Sequence, residues 1–172
     1  MNAVKSVLIK FMLLLALFVL GNQALQAQES NKDKEQQKAA AVKNMVDTKN
    51  FVFKAQSMTP MRGRNRQLTS EYDLKIFNDS LISFLPYFGR AYTAPVNPSE
   101  GGLQFTSTDF QYQATARKKG GWEITIQPKD HRDVRQLLLN VFESGNATLQ
   151  VISNNRDPIF FNGYVAERPQ KM

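Results

Sequence analysis

The sequence has no cysteine and a single histidine among its 172 residues. Without cysteine there are no disulfide bonds, so packing must stabilise the fold, and thiol catalysis, iron–sulfur clusters and cysteine-rich zinc sites are excluded. The histidine, His131, lies in a charged segment that we predict to be a solvated turn. One histidine without a serine elbow makes no catalytic triad, and it falls short of the three protein ligands usual for zinc. We therefore expect no metal and no cofactor.

Phosphate-binding glycine loops are also missing, since Gly101-Gly102 and Gly120-Gly121 do not lie between a strand and a helix. Glu71 and Asp73 share one strand face, but Lys75 continues that face. This pattern indicates a solvent-facing surface rather than the carboxylate pair of a glycosidase. We predict a protein that is not an enzyme, with a hydrolase using scattered carboxylates as the less favoured alternative.

Residues 1–27 have the pattern of a secretory signal peptide. Two lysines provide a basic start, an uncharged apolar run occupies residues 11–20, and a short polar stretch ends at Ala27. The apolar run is about half of the roughly 20 residues that a membrane-spanning helix needs. We predict cleavage after Ala27, with Ala24 as the alternative, no transmembrane anchor after cleavage, and export to the periplasm or the cell exterior.

The mature chain is moderately basic. Removing the signal peptide takes away two lysines and no acid, so 20 basic and 15 acidic residues remain, a net charge of +5. The simpler interpretation of this charge is a soluble surface with a basic bias. The more specific interpretation is that the protein is attracted to an anionic surface of the cell envelope. An exported protein is not expected to meet nucleic acid.

The rest of the chain is the size of one domain. Residues 28–37 are polar without an apolar face, which predicts a disordered leader. Residues 38–49 are rich in helix formers, which predicts an amphipathic helix that covers one end of a sheet. Its narrow apolar stripe consists of Ala41, Val42, Met45 and Val46. We place a single β-rich domain at 38–166 and a frayed tail at 167–172.

From residue 51 onward the apolar period becomes two, which is typical of strands. About eight strands are predicted, at 51–55, 68–76, 81–87, 110–117, 122–126, 137–141, 147–151 and 159–165. The short loops between them favour an antiparallel meander over parallel crossovers. We predict a mainly β fold, with a curved sheet or open barrel and the helix against it. A two-sheet sandwich is the alternative.

One long loop follows the third predicted strand. It carries Tyr87, Phe88 and Tyr92 around Arg90, and four prolines and glycines follow them. An arginine among aromatic rings either stacks on them or holds a carboxylate or phosphate with its planar fork. We favour stacking that pins the loop, for which Arg90→Ala should cost about 1–2 kcal/mol of stability. Ligand binding by these four residues is the alternative.

Two further basic segments are candidates for contact with an anionic surface. Arg62, Arg64 and Arg66 lie within five residues with no acid among them. Lys118 and Lys119 lie in a predicted hairpin turn with Gly120 and Gly121, and they would form a second patch if the two hairpin tips lie together. A solvated hairpin loop is the simpler interpretation of the arginines. A further arginine, Arg156, is expected to fix its own turn through Asp157 or the backbone.

Asp79-Ser80-Leu81 has the form of an O-glycosylation site, an Asp-Ser pair followed by an apolar residue, and it lies on a predicted turn. Ser80 is therefore a candidate for modification. Asn78-Asp79 is also ordinary turn chemistry, which is the competing interpretation.

The run Leu85-Pro-Tyr-Phe-Gly-Arg-Ala-Tyr92 resembles the hallmark of small secreted bacterial proteins catalogued as domain of unknown function 4251, found mainly in Bacteroidota. Gly101-Gly102-Leu-Gln-Phe105, Lys118-Lys-Gly-Gly-Trp122 and Ser144-Gly-Asn-Ala-Thr-Leu149 also fit, and the resemblance covers roughly residues 38–166. It implies export and a mostly β domain, and it implies no activity.

The residues and the resemblance together predict a non-enzymatic envelope protein that binds a ligand or supports other envelope components. Its partner would be an apolar or anionic envelope ligand or an envelope protein. Ten phenylalanines in the mature chain are enough to line an apolar cavity or to fill a solid core. The alternative is a partner-binding module or inhibitor that presents the aromatic loop at 88–102.

Overall fold

The computed structural model describes residues 32–92 and 102–168. The chain divides into two units, residues 1–37 and 38–172. Of the first unit, residues 32–37 are described, and they are helical and exposed. The predicted signal peptide, the central part of the 88–102 loop and the last four residues lie outside the described residues.

The described helix, α1, spans residues 32–47. It begins before the predicted start at 38, so residues 32–37 are helical where composition indicated a disordered leader. Those residues are lysine, glutamate and glutamine with one aspartate, and the first three form helices readily even without an apolar face. Val42, Met45 and Val46 are buried as predicted, whereas Ala41 is exposed.

The end of α1 is fixed by Lys49 and Tyr112. Lys49 has a φ of 49°, and the N–H of Asn50 donates to the carbonyl of Met45 at 3.2 Å, which is the bond of a Schellman cap. The Tyr112 hydroxyl donates to the carbonyl of Val46 at 3.0 Å. The Lys49 ammonium lies 5.3 Å from the centre of the Tyr112 ring. Tyr112, a side chain of the sheet, therefore holds the last turn of α1.

Nine strands lie within the described residues, and all ladders between them are antiparallel. The mainly β fold with one N-terminal helix is therefore confirmed. The strands are β1 (Phe51–Pro60), β2 (Arg66–Ile76), β3 (Leu81–Leu85), β4 (Leu103–Ser107), β5 (Phe110–Ala116), β6 (Trp122–Pro128), β7 (Val134–Val141), β8 (Asn146–Ser153) and β9 (Ile159–Glu167). β4 was not predicted, because its five residues directly follow the glycines of the long loop.

The strand order β4-β3-β2-β1-β9-β8-β7-β6-β5 consists of two meanders joined through β1 and β9. β4 and β5 are the two edges, yet only Thr108 and Asp109 separate them in the chain. The two edges must therefore meet at this point, and the sheet curls into a nearly closed barrel. Eight antiparallel steps separate β4 from β5, so both run in the same direction. The chain turns a corner at Thr108 without forming a hairpin.

The inward-facing side chains form one hydrophobic core. Strands from both meanders contribute fully buried side chains, among them Phe53, Leu74, Ile126, Leu139 and Phe161. In most strands the alternate side chains face solvent, where Phe84, Phe160 and Tyr164 are exposed among polar residues.

β1 and β9 approach so closely at Gly163 that a side chain does not fit. A Cβ atom placed on Gly163 would lie 1.9 Å from the carbonyl oxygen of Lys54. A bulge between Ala55 and Ser57 shifts the register of β1 against β9 at this place. The glycine therefore permits the contact that joins the two meanders.

Candidate functional site

Four connections share one end of the barrel, because successive antiparallel strands reverse direction. These are the β1–β2, β3–β4, β6–β7 and β8–β9 connections. Most of the residues singled out from the sequence lie here. The β5–β6 and β7–β8 turns lie at the opposite end.

The segment at 87–92 is anchored on the β8–β9 turn through its backbone. Ala91 forms an antiparallel bridge with Arg156, and the N–H of Tyr92 donates to the carbonyl of Asn155 at 2.8 Å. The Tyr87 hydroxyl lies 2.7 Å from the carbonyl of Arg90 and 3.1 Å from that of Asp157. These contacts place the segment, and they leave the Arg90 side chain exposed.

Arg156 is half-buried, whereas the Arg90 side chain is exposed. Its Nε lies 3.0 Å from the carboxylate of Asp133, and its Nη1 donates to the carbonyl of Gly102 at 3.1 Å. Its guanidinium carbon lies 5.2 Å from the centre of the Tyr87 ring. The backbone contact was expected, but the carboxylate partner is Asp133 rather than the predicted Asp157. Arg156 thus joins three connections that are far apart in sequence.

Two other arginines of this end are exposed, and each lies over an exposed aromatic ring. The guanidinium carbon of Arg66 lies 5.4 Å from the ring centre of Phe88, and that of Arg90 lies 5.7 Å from the ring centre of Tyr92. Phe88 is 52% exposed and Tyr92 is 63% exposed. The predicted stacking of Arg90 is therefore present, on one tyrosine.

The β1–β2 loop adds further cations to the same surface. Arg62 and Arg64 lie on this exposed loop, and Arg62 is near enough to Tyr92 for the two side chains to interact electrostatically. Met61, 62% exposed, precedes them. We call the set Met61, Arg62, Arg66, Phe88, Arg90 and Tyr92 the basic aromatic end. The sequence predicted Arg62 and Arg66 in one group and Arg90 with its aromatic rings in another, and the structure brings the two groups together.

Asp157 is the acid nearest to this surface, and the Tyr92 hydroxyl donates to its carboxylate. That hydrogen bond is the main reason why the pKa of Tyr92 is raised, and the charges of Arg90 and Arg62 oppose the rise. Burial raises the pKa of Tyr87, and the charge of Asp157 adds to the rise. Both hydroxyls therefore stay protonated and act as donors at neutral pH.

The other predicted residues lie elsewhere. Lys118 and Lys119 are exposed on the β5–β6 turn at the opposite end, so they do not form one patch with the arginines. Ser80 is half-buried in the turn that closes with the N–H of Phe77 donating to the Ser80 carbonyl at 2.9 Å. The Ser80 hydroxyl lies 3.1 Å from the Asp79 carboxylate.

His131 is not the solvated side chain that the sequence indicated. Its ring lies against Phe105 of β4, with centres 4.4 Å apart, and its Nδ1 accepts the N–H of Val134 at 3.0 Å. The charged neighbours of His131 suggested a wet turn, but the closing barrel brings β4 over it. The histidine therefore helps to hold the edge strand against the β6–β7 connection.

Sequence reasoning missed Asp133 as the partner of Arg156 and Asp157 as the partner of Tyr92. Both lie in turns, where aspartate is common for local reasons, and their partners are distant in sequence. Only the strand pairing that the fold establishes reveals these contacts. Within residues 32–92 and 102–168, no three histidine or acidic side chains are grouped so that they would hold a metal ion. No helix in those ranges has the length and apolar character required to cross a membrane.

Fold and site together define a small antiparallel β domain with a cationic, ring-bearing end. The chain belongs to the family described as Domain of unknown function (DUF4251), whose model matches residues 33–165. The resemblance carried by Leu85–Tyr92 is thereby confirmed at the level of the family. No curated protein matches this chain.

A similar solved structure is the crystal structure of a DUF4251 family protein from Bacteroides eggerthii DSM 20697. The two chains are 14% identical, the match covers 76% of this chain and 87% of that chain, and the TM-score is 0.56. At this identity the likeness shows a shared fold and nothing about a ligand.

Proposed function

We propose that this protein is an exported, non-enzymatic binding domain of the bacterial cell envelope, and that its basic aromatic end binds an anionic lipid surface. The observation that carries the proposal is the pairing of exposed arginines with exposed rings, Arg66 with Phe88 and Arg90 with Tyr92. The signal-peptide pattern of residues 1–27 supports export.

Both kinds of side chain suit the boundary between water and lipid. Each basic residue near an anionic membrane adds about 1 kcal/mol of attraction, so Arg62, Arg66 and Arg90 together supply about 3 kcal/mol. Aromatic rings such as Phe88 and Tyr92 partition to the headgroup level, where one part of the ring is apolar and the other is wet. Attraction and shallow insertion would then act at the same end of the domain.

The carboxylates of the described residues support binding rather than hydrolysis. Glu71 and Asp73 line one cleft, but their carboxylates lie 3.6 Å from the ammonium groups of Lys54 and Lys75, respectively. Each of the two carboxylates therefore has a lysine as its ion-pair partner, so they do not form the pair of carboxyl groups, both free to act on a substrate, that a glycosidase uses. His131 is engaged in holding β4.

A partner-binding module is the second candidate, because tyrosine and arginine also dominate the energetics of protein interfaces. It would present the 88–102 segment, of which residues 88–92 carry the exposed rings. Such an interface needs no lipid.

Co-sedimentation with vesicles tests the lipid proposal. Vesicles of equal parts phosphatidylglycerol and phosphatidylcholine should bind the purified protein, and pure phosphatidylcholine vesicles should bind it far less. The triple variant Arg62→Gln, Arg66→Gln, Arg90→Gln should lose most of the binding, since it removes about 3 kcal/mol of attraction. Added salt should weaken binding by the wild-type protein, because screening shortens the reach of surface charge.

The control is the triple variant Arg117→Gln, Lys118→Gln, Lys119→Gln. It changes the net charge by the same amount, but it does so on the β5–β6 turn at the opposite end. We expect it to keep most of the binding. Equal losses in both triple variants would mean that net charge alone attracts the vesicles, and the proposed site would be wrong.

A further inference from the structure

A cleft opens on the solvent-facing side of the sheet where β1 is irregular. Ala55 pairs with Tyr72 of β2, but Ser57 pairs with Gln67, so residues 68–71 leave the ladder. The cleft that results lies between this part of β2 and Tyr164 of β9, and its volume is about 330 Å³. Small-molecule sites typically measure about 300–1,000 Å³. We call this feature the β1–β2 cleft.

Tyrosine rings line the β1–β2 cleft from the strands on both sides of β1. Tyr72 belongs to β2 and Tyr164 to β9. Tyr164 is 38% exposed. Tyr72 stacks on Phe84, with ring centres 5.7 Å apart, and this contact restricts its ring. The faces of such rings carry partial negative charge, which suits the slightly positive C–H groups of a sugar ring.

The remaining lining is rich in groups that donate and accept hydrogen bonds. Gln56 and Gln67 carry carboxamides that do both, Glu71 and Asp73 accept, and Lys54 donates. A ligand covered with hydroxyl groups can satisfy all of these at once, since each hydroxyl donates one hydrogen bond and accepts others.

The charges of the β1–β2 cleft balance, in contrast to those of the basic aromatic end. Lys54 lies 3.6 Å from Glu71, and Lys75 lies 3.6 Å from Asp73. Lys54, the cation in the lining of the cleft, is therefore matched by a carboxylate. An anion would find no uncompensated positive charge there, which favours a neutral ligand.

We propose that the β1–β2 cleft binds a neutral sugar residue of an oligosaccharide, with Tyr164 as a stacking platform and Glu71, Asp73 and Gln67 as hydroxyl partners. This site is separate from the basic aromatic end, and it does not depend on the proposed lipid binding.

An NMR titration of the purified, ¹⁵N-labelled protein tests the proposal. The probes are maltotetraose, cellotetraose, laminaritetraose and β-1,4-mannotetraose, each to about 10 mM, because a single-sugar site is expected to bind in the millimolar range. At least one probe should shift the amide signals of residues 67–73 and of Tyr164. Tetragalacturonate is the acidic comparison, and it should not bind the cleft more tightly than the neutral probes. No neutral probe shifting those signals, or tighter binding of tetragalacturonate there, would overturn the proposal.

Variants on β9 show whether the ring contributes. Tyr164→Ala should weaken binding by about fivefold to tenfold, and Tyr164→Phe should stay within about twofold of the wild-type protein because it keeps the ring. Phe160→Ala is the matched control, since Phe160 is 41% exposed on the same face of the same strand but does not line the cleft. Arg90→Ala, at the basic aromatic end, should also bind normally. Equal weakening by Tyr164→Ala and Phe160→Ala would contradict the proposed site.

Discussion

The two arginines that contact Tyr87 and Tyr92 have different surroundings, and these decide what each contributes. Arg156 is half-buried, with its guanidinium between the Tyr87 ring, the Asp133 carboxylate and the Gly102 carbonyl. Arg90 is exposed and lies over one exposed ring. The backbone of Arg90 holds the loop, while its side chain stays available for a ligand.

Arg156→Ala should therefore lower the free energy of unfolding by about 2–3 kcal/mol, since it leaves the half-buried Asp133 carboxylate without its cation. Arg90→Ala should cost under about 0.5 kcal/mol, the usual effect of a surface change, which is less than the sequence alone suggested. Urea denaturation of both variants measures the difference. The double variant Asp133→Ala, Arg156→Ala should lose less unfolding free energy than the two single variants lose in sum, because the two side chains form one ion pair. Equal losses for Arg156→Ala and Arg90→Ala would contradict the assignment.

The sequence pointed to Arg90 because its rings are neighbours in the chain. The partners of Arg156 are Tyr87, Gly102 and Asp133, and no local pattern connects them. Features that depend only on neighbouring residues, such as the buried face of α1 and the turn at Asn78, were predictable from the sequence. Contacts between distant turns depend on strand order, which periodicity does not determine.

Among the elements, α1 and β5 depend on each other through Tyr112. The Tyr112 hydroxyl satisfies the carbonyl of Val46 in the last turn of the helix, where carbonyls have no helical partner. Burial, with a smaller effect from the charge of Asp47, raises the pKa of Tyr112 far above its ordinary value. The folded protein therefore favours the neutral phenol.

Stability should fall as the pH rises above about 10, the ordinary pKa of tyrosine. Above that pH the unfolded chain loses the Tyr112 proton while the folded protein keeps it, so the unfolded state binds fewer protons and is favoured by increasing pH. Below pH 10 the contribution is fully present. Thermal unfolding at several pH values measures this trend.

Tyr112→Phe is the control for that measurement. It should lower stability by about 1 kcal/mol at neutral pH, through the lost hydrogen bond, and should reduce the dependence on pH above 10. An unchanged alkaline dependence in Tyr112→Phe would assign the effect to other groups.

The elements themselves were predicted best where the apolar alternation was long. The eight predicted strands all exist, and α1 buries most of its predicted stripe. β4 was not predicted from the sequence, because Leu103 and Phe105 are only two alternating apolar positions and they follow a glycine pair. The bulge in β1 was not predicted either, since the residues around Gln56 have no distinctive composition.

At the scale of the whole molecule, the proposed export of the protein rests on the sequence of residues 1–27. We predict that the mature protein begins at Gln28, because a basic start, a short apolar run and a small terminal residue are what signal peptidase recognises. N-terminal sequencing of protein purified from the producing organism checks this. An intact Met1 in the membrane fraction would contradict it, and a start at Leu25 would select the alternative site after Ala24.

The corner at Thr108 shows why the whole sheet was harder to foresee than its parts. Short loops predicted an antiparallel meander, which is correct within β1–β4 and within β5–β9. The connection from β4 to β5 is as short as that of a hairpin, but it passes from one edge of the sheet to the other. Nothing in Thr108 or Asp109 distinguishes the two cases, so barrel closure had to come from the structure.

The pairing of β1 with β9 has a consequence for how the chain is made. Phe51 lies opposite Glu167 and Pro60 opposite Ile159, so the first strand to be synthesised needs the last one as its neighbour. A growing chain emerges with its N-terminal part first. Until β9 appears, the apolar β1 has an open edge, and such edges recruit strands from other molecules. One edge of β1 therefore stays unpaired until β9 is available, and a chain that stops before β9 should aggregate instead of forming a smaller domain.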